Sequence, residues 1–479
     1  MGNLFRQRRA CPSPILRPAG VLSIRCRALD SREFLTRLFH AAVEAVDPGR
    51  LVRKAVGRRG DALWVRSVSS AARREFVFVP SRVVLLAVGK AAVPMARAAH
   101  DALGSRLDAG LVIAPSNAPA ERLPPSFRLV RSGHPHPDAG SLEAGSLALQ
   151  LAGSLGKDDL LLVLLSGGGS ALMAAPAEGI TLEEKSRTIS LLMAAGAPIT
   201  EINRVRGALS RVKAGWLSTA AGLAEVVTLV LSDLGDDGWH LVASGPTLGL
   251  PPTGASAQAI LERWRLTPLV SPSVRAVLSR ERPAWASRPT GDRWSVLLAD
   301  IRMAMEGARL EALRLGADAR LVPELLAGEA RSAASRLAVA AASAGHLLRH
   351  AGAHRRPSVT IFGGETTVTV KGRGRGGRNR ELALAAAYPF AGLKGACALV
   401  AGTDGVDHEP DAAGAFVDGT TLARAEAKGL DPANALLAND SGTFFRELGD
   451  AFSPGPTGTN VGDVAFVLSP GDDPLPEAV

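Results

Sequence analysis

Residues 363–381 read GGETTVTVKGRGRGGRNRE, and Arg373, Arg375 and Arg378 stand among Gly372, Gly374, Gly376 and Gly377 just ahead of Asn379 and Glu381. A guanidinium grips phosphate or carboxylate through two parallel hydrogen bonds. Glycines let the backbone turn tightly or approach a ligand closely. Alternating β-branched residues predict a strand over 366–371. A helix opening at Asn379 would aim unpaired N–H groups and a positive dipole end at whatever the loop holds. The spacing describes an anion-binding loop. A flexible Arg-Gly nucleic-acid tether is the competing reading, but apolar elements flank the tract and no aromatic residue is interleaved for base stacking.

Other polar clusters follow apolar runs. Ser166-Gly167-Gly168-Gly169-Ser170 comes directly after the run 160–165, and its backbone N–H groups could surround phosphate oxygens or simply form a turn. It lacks the GxxxxGK[ST] spacing of a Walker loop. Lys90 follows the run 83–88 at a helix entrance, either as a point charge on a phosphate or as a solvated group. Asp233, Asp236 and Asp237 follow the run 225–231, and Asp404, Asp407 and His408 lie in a loop after 396–400. Such carboxylates hold Mg²⁺ or orient a substrate hydroxyl, or else cap a helix. His134 and His136 sit between prolines without a third ligand nearby, which favours structural or substrate contact over metal. Asn439-Asp440-Ser441 and Thr457-Gly-Thr-Asn460 read as polar turns. With no serine–histidine pair and no reactive cysteine apparent, the inventory suits phosphoryl transfer, which needs positioning and charge neutralisation.

The elements that must position these groups are short apolar runs at 83–88, 111–114, 160–165, 225–231, 294–298, 358–362 and 396–400. Most have Gly, Asp or Asn close behind and a helical stretch after that. Strands buried on both faces look like this, so the expected fold is α/β with largely parallel sheets. Helices are expected over 31–46 and 92–103, and Thr181-Leu-Glu-Glu184 is a capping box. The Pro- and charge-rich tract 281–293 marks a domain boundary. The expected units are a leader over 1–30, one domain over 31–287 and a second over 288–479.

The chain has 479 residues, 46% hydrophobic and 21% charged, enough for two or three cores. Its net charge of +9 is misleading. Arg6, Arg8, Arg9, Arg17, Arg25 and Arg27 lie in the first 29 residues without an acid, and subtracting those six leaves +3. That argues against a nucleic-acid-binding surface. Three cysteines provide neither a disulfide framework nor a CxxC site, so a reducing compartment and no structural metal are expected. No apolar run reaches the roughly 20 residues of a membrane helix. The leader reads as an extension from an early start codon, with a cytoplasmic protein behind it, or as a mitochondrial transit peptide.

In order along the chain, Gly89-Lys-Ala91, Gly133-His-Pro-His-Pro-Asp138, Ser166-Gly-Gly-Gly-Ser170, the stretch 203–213, Ser232-Asp233, Ala243-Ser-Gly-Pro-Thr247, Gly328-Glu-Ala-Arg331, Gly363-Gly-Glu-Thr366, Gly376-Gly-Arg-Asn379, Gly402-Thr-Asp-Gly405, Asn439-Asp-Ser441 and Thr457-Gly-Thr-Asn-Val461 resemble the glycerate 2-kinase family. The likeness runs from about residue 31 to 468. It implies two Rossmann-like α/β domains, an N-terminal glycerate-kinase domain and a C-terminal one named for the MOFRL motif, with the active site in the cleft between them. It implies transfer of phosphate from ATP, with Mg²⁺, to the 2-hydroxyl of D-glycerate. Monomer and homodimer are both left open by the sequence. By resemblance, Lys90 and Arg378 are the catalytic cations and Asp233 the carboxylate near the chemistry. Ser166 to Ser170 with Gly376, Gly377 and Asn379 would hold nucleotide phosphates, and Asp237, Asp404, Asp407, Glu365 and Asn460 would hold substrate or Mg²⁺. Arg373 and Arg375 become spectators or supporting charges. The chain departs from the family pattern at Ala214, Asp236, Ile301, Arg380 and His408, which leaves another small hydroxy acid open as acceptor. Hydroxypyruvate reductase is the alternative activity, but neither glycine loop has the GxGxxG spacing of a dinucleotide turn.

Overall fold

The computed structural model describes residues 30–68, 75–118, 122–249, 253–280, 291–346, 356–472 and 475. The leader, and the boundary tract as far as residue 290, lie outside them.

A small antiparallel meander, β1 (Val56–Arg59), β2 (Ala62–Arg66) and β3 (Glu75–Phe78), precedes the first large sheet. That sheet holds β4 (Arg82–Val88), β5 (Ala109–Pro115), β6 (Phe127–Ser132), β7 (Asp159–Leu165), β8 (Glu225–Leu231) and β9 (Arg293–Ala299). Their order is β6-β5-β4-β7-β8-β9, with every pairing parallel. Strands such as RVVLLAV and DLLLVLL are apolar throughout because helices cover both faces. The chain winds outward from β4 to β6, then restarts at β7 and runs the other way. The crevice between β4 and β7 is therefore a topological switch point, where loops at the carboxyl ends of strands diverge.

The second sheet contains β10 (Asp318–Leu321), β11 (Ser358–Gly364), β12 (Cys397–Gly402), β13 (Gly414–Asp418), β14 (Ala451–Phe452) and β15 (Asp463–Ser469), in the order β10-β11-β15-β12-β13-β14. β10 and β11 run parallel, and the other neighbours are antiparallel. The last strand, β15, inserts between β11 and β12 with all seven residues buried.

The expected boundary at 287/288 is crossed twice. β9 completes the first sheet beyond it, while the helix Ser31–Ala45 packs with Ile301–Arg314 against the second sheet. One core runs from Val83 and Leu85 through Phe39 and Ala308 to Ile361, Leu399 and Phe466, so the two sheets share their apolar interior. Four further helices, Leu182–Ala194, Ile199–Ala208, Gly254–Arg263 and Pro272–Leu278, form a separate cap around Leu192, Val205, Ile260 and Val274. The first of them starts at the expected capping box. Thr181 Oγ1 accepts from Glu184 N–H at 3.2 Å, and Glu184 Oε2 accepts from Thr181 N–H at 2.8 Å.

Residues 366–371 do not form the expected strand. β11 ends at Gly364, and beyond it only Thr367 makes a bridge, to Glu329. Asn439 Oδ1 accepts from Lys371 N–H at 2.8 Å and Gly372 N–H at 2.9 Å, so irregular neighbours satisfy this backbone. Among the described residues, no helix is long and apolar enough to cross a membrane.

Candidate active site

At the switch point the two loops lock together. Lys90 N–H donates to Gly167 O at 2.9 Å, and Ala91 N–H donates to Ser166 Oγ at 3.0 Å. Gly89 has φ +131°, and a methyl there would collide with Ser166, so only glycine allows this approach. Ser166, fully buried, thus fastens the Lys90 loop. Gly167 backs onto the Asp233 carboxylate and the Asn460 amide, and Gly168 lies beneath His134 and Lys90. A side chain on either glycine would fill that space.

The second sheet supplies the opposite wall. Lys90 Nζ donates to Asp404 Oδ2 at 2.7 Å, from the loop after β12. Arg378, first residue of the helix Arg378–Phe390, donates through Nη2 to Asp463 Oδ1 at 3.0 Å and through Nη1 to Glu365 Oε1 at 2.6 Å. Asn460 Nδ2 donates to Asp233 Oδ2 at 3.4 Å. Burial pushes the Asp233 carboxyl above its ordinary range, against the charges of Lys90 and Arg378, with Asp404 adding to the rise. Burial likewise takes Glu365 up to about 7, opposed by Arg378 and helped by Asp463 and Asp233. Its side chain stays 42% open, so solvent moderates this shift. Burial works against the Arg378 charge, yet Asp463 and Glu365 outweigh it and hold the guanidinium above its ordinary value. His134 is lowered to about 4 by burial and then by Lys90, so its ring is neutral at physiological pH.

Lys90, Arg378, Asp233, Asp404, Glu365, Asn460, Gly167 and Gly168 are therefore brought together. Asp407, Asn379, Gly376 and Gly377 are not. Asp407 accepts from Asn379 N–H at 3.0 Å, Arg380 N–H at 2.9 Å and Arg380 Nε at 3.1 Å. The expected anion at this helix start is thus the protein's own carboxylate, which corrects the reading of an open phosphate cradle. Gly376 and Gly377 pack against Ser441 and Asp407, and Asn379 is buried. Gly169 packs against Ala243, and the Ser170 hydroxyl turns away to Ser244. The side chains of Asp236 and Asp237 lie outside the described residues. Arg375 is exposed, its Nε donating to Glu409 at 2.8 Å, and Arg373 is exposed too.

Sequence reasoning missed Asp463, the main partner of Arg378, which lies two residues beyond the Thr457 to Val461 motif. Among the departures, Arg380 is fully buried against Asp407 and Asp411, and Ile301 is buried beneath Gly363. Ala214 and His408 adopt φ of +51° and +66°, the left-handed region that a glycine would enter without strain.

Fold and site together define a two-sheet α/β enzyme that focuses two cations and an inward-facing carboxylate on one crevice. Residues 34–279 match the domain of unknown function DUF4147, and residues 358–463 match the MOFRL family. The chain is 39% identical to the D-glycerate 2-kinase of Thermotoga maritima, covering 81% of this chain and 90% of that protein. It is 35% identical to the glycerate 2-kinase of Pyrococcus horikoshii, covering 92% and 98%. The crystal structure of glycerate kinase from Thermotoga maritima superposes with a TM-score of 0.76 at 35% identity, over 91% of this chain and 99% of that one. The chain belongs to the glycerate 2-kinase family.

Proposed function

We propose that this chain transfers the terminal phosphoryl group of ATP to the 2-hydroxyl of D-glycerate, forming 2-phosphoglycerate. The observation that carries this reading is that Lys90 and Arg378, positioned by different sheets, share one crevice with Asp233, which lies against Gly167 and Asn460 beside the Lys90 loop and feels both charges. Phosphoryl transfer is catalysed mainly by positioning and by neutralising charge on the equatorial oxygens, and two fixed cations supply that. Asp233, its pKa raised toward the working range, is suited to accept the proton of the attacking hydroxyl. Glu365, readily protonated, is the partner of Arg378 most easily displaced when a phosphoryl oxygen arrives.

The donor set fits Mg²⁺ that arrives with a nucleotide. Among the described residues no three His, Cys, Asp or Glu side chains form a ready-made cage. Mg²⁺ usually relies on one or two carboxylates plus phosphate oxygens and water. Asp404 would hold it, and the ion, when bound, neutralises charge on the nucleotide. The reductase alternative gains nothing here, because the turn after β4 puts Ala91 and Pro94 where the second and third glycines of a GxGxxG turn are needed. The bacterial and archaeal relatives favour a cytoplasmic setting for the kinase reaction.

The test is ADP release by purified protein supplied with ATP and Mg²⁺. The expected result is release that depends on D-glycerate, with kcat falling about 10²- to 10³-fold in Lys90→Met and in Arg378→Met. Release that ignores D-glycerate, or that both variants leave unchanged, contradicts the reading.

A further inference from the structure

The glycine loop after β7 has a second end, away from Lys90 and Asp233. There the Ser170 and Ser244 hydroxyl oxygens lie 2.7 Å apart. Arg206 Nη1 donates to Ser244 Oγ at 3.2 Å and also to Asn203 Oδ1. Lys213, only 1% exposed, donates through Nζ to Gly169 O at 3.0 Å and Ala243 O at 3.1 Å. Lys185, on the helix Leu182–Ala194, is 6% exposed, and its ammonium has no hydrogen-bond or ion-pair partner among the described residues.

None of the three cations meets a carboxylate there. Burial, then the charge of Arg206, pushes Lys185 down to about 7, and burial with Lys185 and Arg206 pushes Lys213 well below its ordinary value. Gathering buried like charges without a counter-ion is unfavourable, and an incoming anion removes the penalty. The helical cap brings Lys185 and Arg206 to this place, while backbone bonds from Ala214 and Gly215 to Ser244 and Gly245, both 2.8 Å, fix the turn that carries Ser244. The glycine loop joins this cluster to the Lys90 end, so one extended ligand can reach both.

We propose that Lys185, Arg206 and Lys213, with Ser170, Asn203 and Ser244, form the pocket for the nucleotide's polyphosphate tail, leaving the Lys90 end to the hydroxy acid and the transferred phosphoryl group. The assignment rests on the kinase reading and names the half of the site that holds the donor. Charge decides against the acid's carboxylate as occupant, since three cations exceed what one negative charge balances, whereas a di- or triphosphate matches them.

Calorimetric titration of the full chain with ADP, tripolyphosphate and D-glycerate, separately, tests this in the wild type, Lys185→Met and Arg206→Met. The expected result is a loss of about ten- to hundredfold in ADP and tripolyphosphate affinity in each variant, with D-glycerate affinity kept. Wild type also takes up protons on binding ADP at pH 8, seen as a heat that varies with the buffer's ionisation enthalpy, and Lys185→Met reduces that uptake. Lys185→Met replaces a buried, unpartnered amine by an apolar side chain of similar length, so its unfolding midpoint should not fall, which separates lost binding from lost folding. If both variants bind ADP like wild type, or lose D-glycerate instead, the pocket assignment is overturned while the kinase reading stands. If wild type binds neither ADP nor tripolyphosphate, both fall.

Discussion

Lys90 and Asp404 lie 314 positions apart in the chain and 2.7 Å apart in the fold, ammonium to carboxylate. The contact ties the carboxyl end of β4 to that of β12, so it reports directly on how the two sheets face each other. Both side chains keep some exposure, 30% and 15%, and such a pair contributes only about 1 kcal/mol to stability. Asp404→Asn should therefore cost about 1 kcal/mol in urea unfolding yet lower kcat/KM by about tenfold or more, because it frees Lys90 and removes the proposed Mg²⁺ carboxylate. Parallel unfolding and steady-state measurements check this, and a large loss of stability with unchanged kcat/KM would refute it.

The raised carboxyls set a pH signature. Glu365 moves from 4.5 to about 7 on folding, so the folded protein holds this proton more tightly than the unfolded chain. That advantage is complete below pH 4.5 and is lost as pH rises through about 7. Glu365→Gln should match wild type in thermal unfolding at pH 4 and exceed it at pH 8. A midpoint difference that is constant across this range would contradict the assignment.

Activity should follow Asp233 and not histidine. The acid limb of kcat/KM should lie above the ordinary aspartate range, since burial raises the Asp233 carboxyl. His134 is already neutral above about pH 4, so His134→Asn should leave the limb where it is. A pH–rate profile of both proteins decides this, and a limb that moves with His134→Asn would reassign the base.

The first sheet was legible because strands buried on both faces are apolar throughout, and the expected runs fall within β4, β5, β7, β8 and β9. The second was only partly legible. Nothing local in DVAFVLS says that β15 will run antiparallel between β11 and β12, since that choice depends on partners about 60 and 100 residues away. The same limit applied to the arginine tract. Glycine spacing predicted an anion at the helix start, but the anion is Asp407, supplied from 28 positions downstream of Asn379. Lys185 escaped notice because its helix start carried a complete capping box and read as purely structural.

Two departures from the family pattern should be correctable. Ala214 at φ +51° and His408 at φ +66° each bear a side chain in the left-handed region, which costs about 1–2 kcal/mol, partly offset by the entropy a glycine would lose on folding. Ala214→Gly and His408→Gly should each raise stability by up to about 1 kcal/mol, read as a higher calorimetric unfolding midpoint. A clear fall in both would show that the side chains make contacts outweighing the strain.

Arg380 and Asp407 are the opposite case. Both are buried, and Arg380 also donates through Nη2 to Asp407 O at 2.9 Å and through Nη1 to Asp411 Oδ1 at 3.1 Å. Removing one partner leaves a buried charge uncompensated, so Arg380→Met and Asp407→Asn should each destabilise by about 3–5 kcal/mol in urea unfolding. The double variant should cost less than the sum, and strict additivity would show that the pair is not coupled.

The roles proposed for Lys90, Arg378 and Asp233 converge on one outcome, a phosphoryl group on the 2-hydroxyl of D-glycerate. Phosphorus NMR of the product formed from ATP, Mg²⁺ and D-glycerate tests it most directly. Wild-type protein should form 2-phosphoglycerate, and Lys90→Met essentially none. Phosphate on the 3-hydroxyl, or no phosphorylated acid at all, would contradict it.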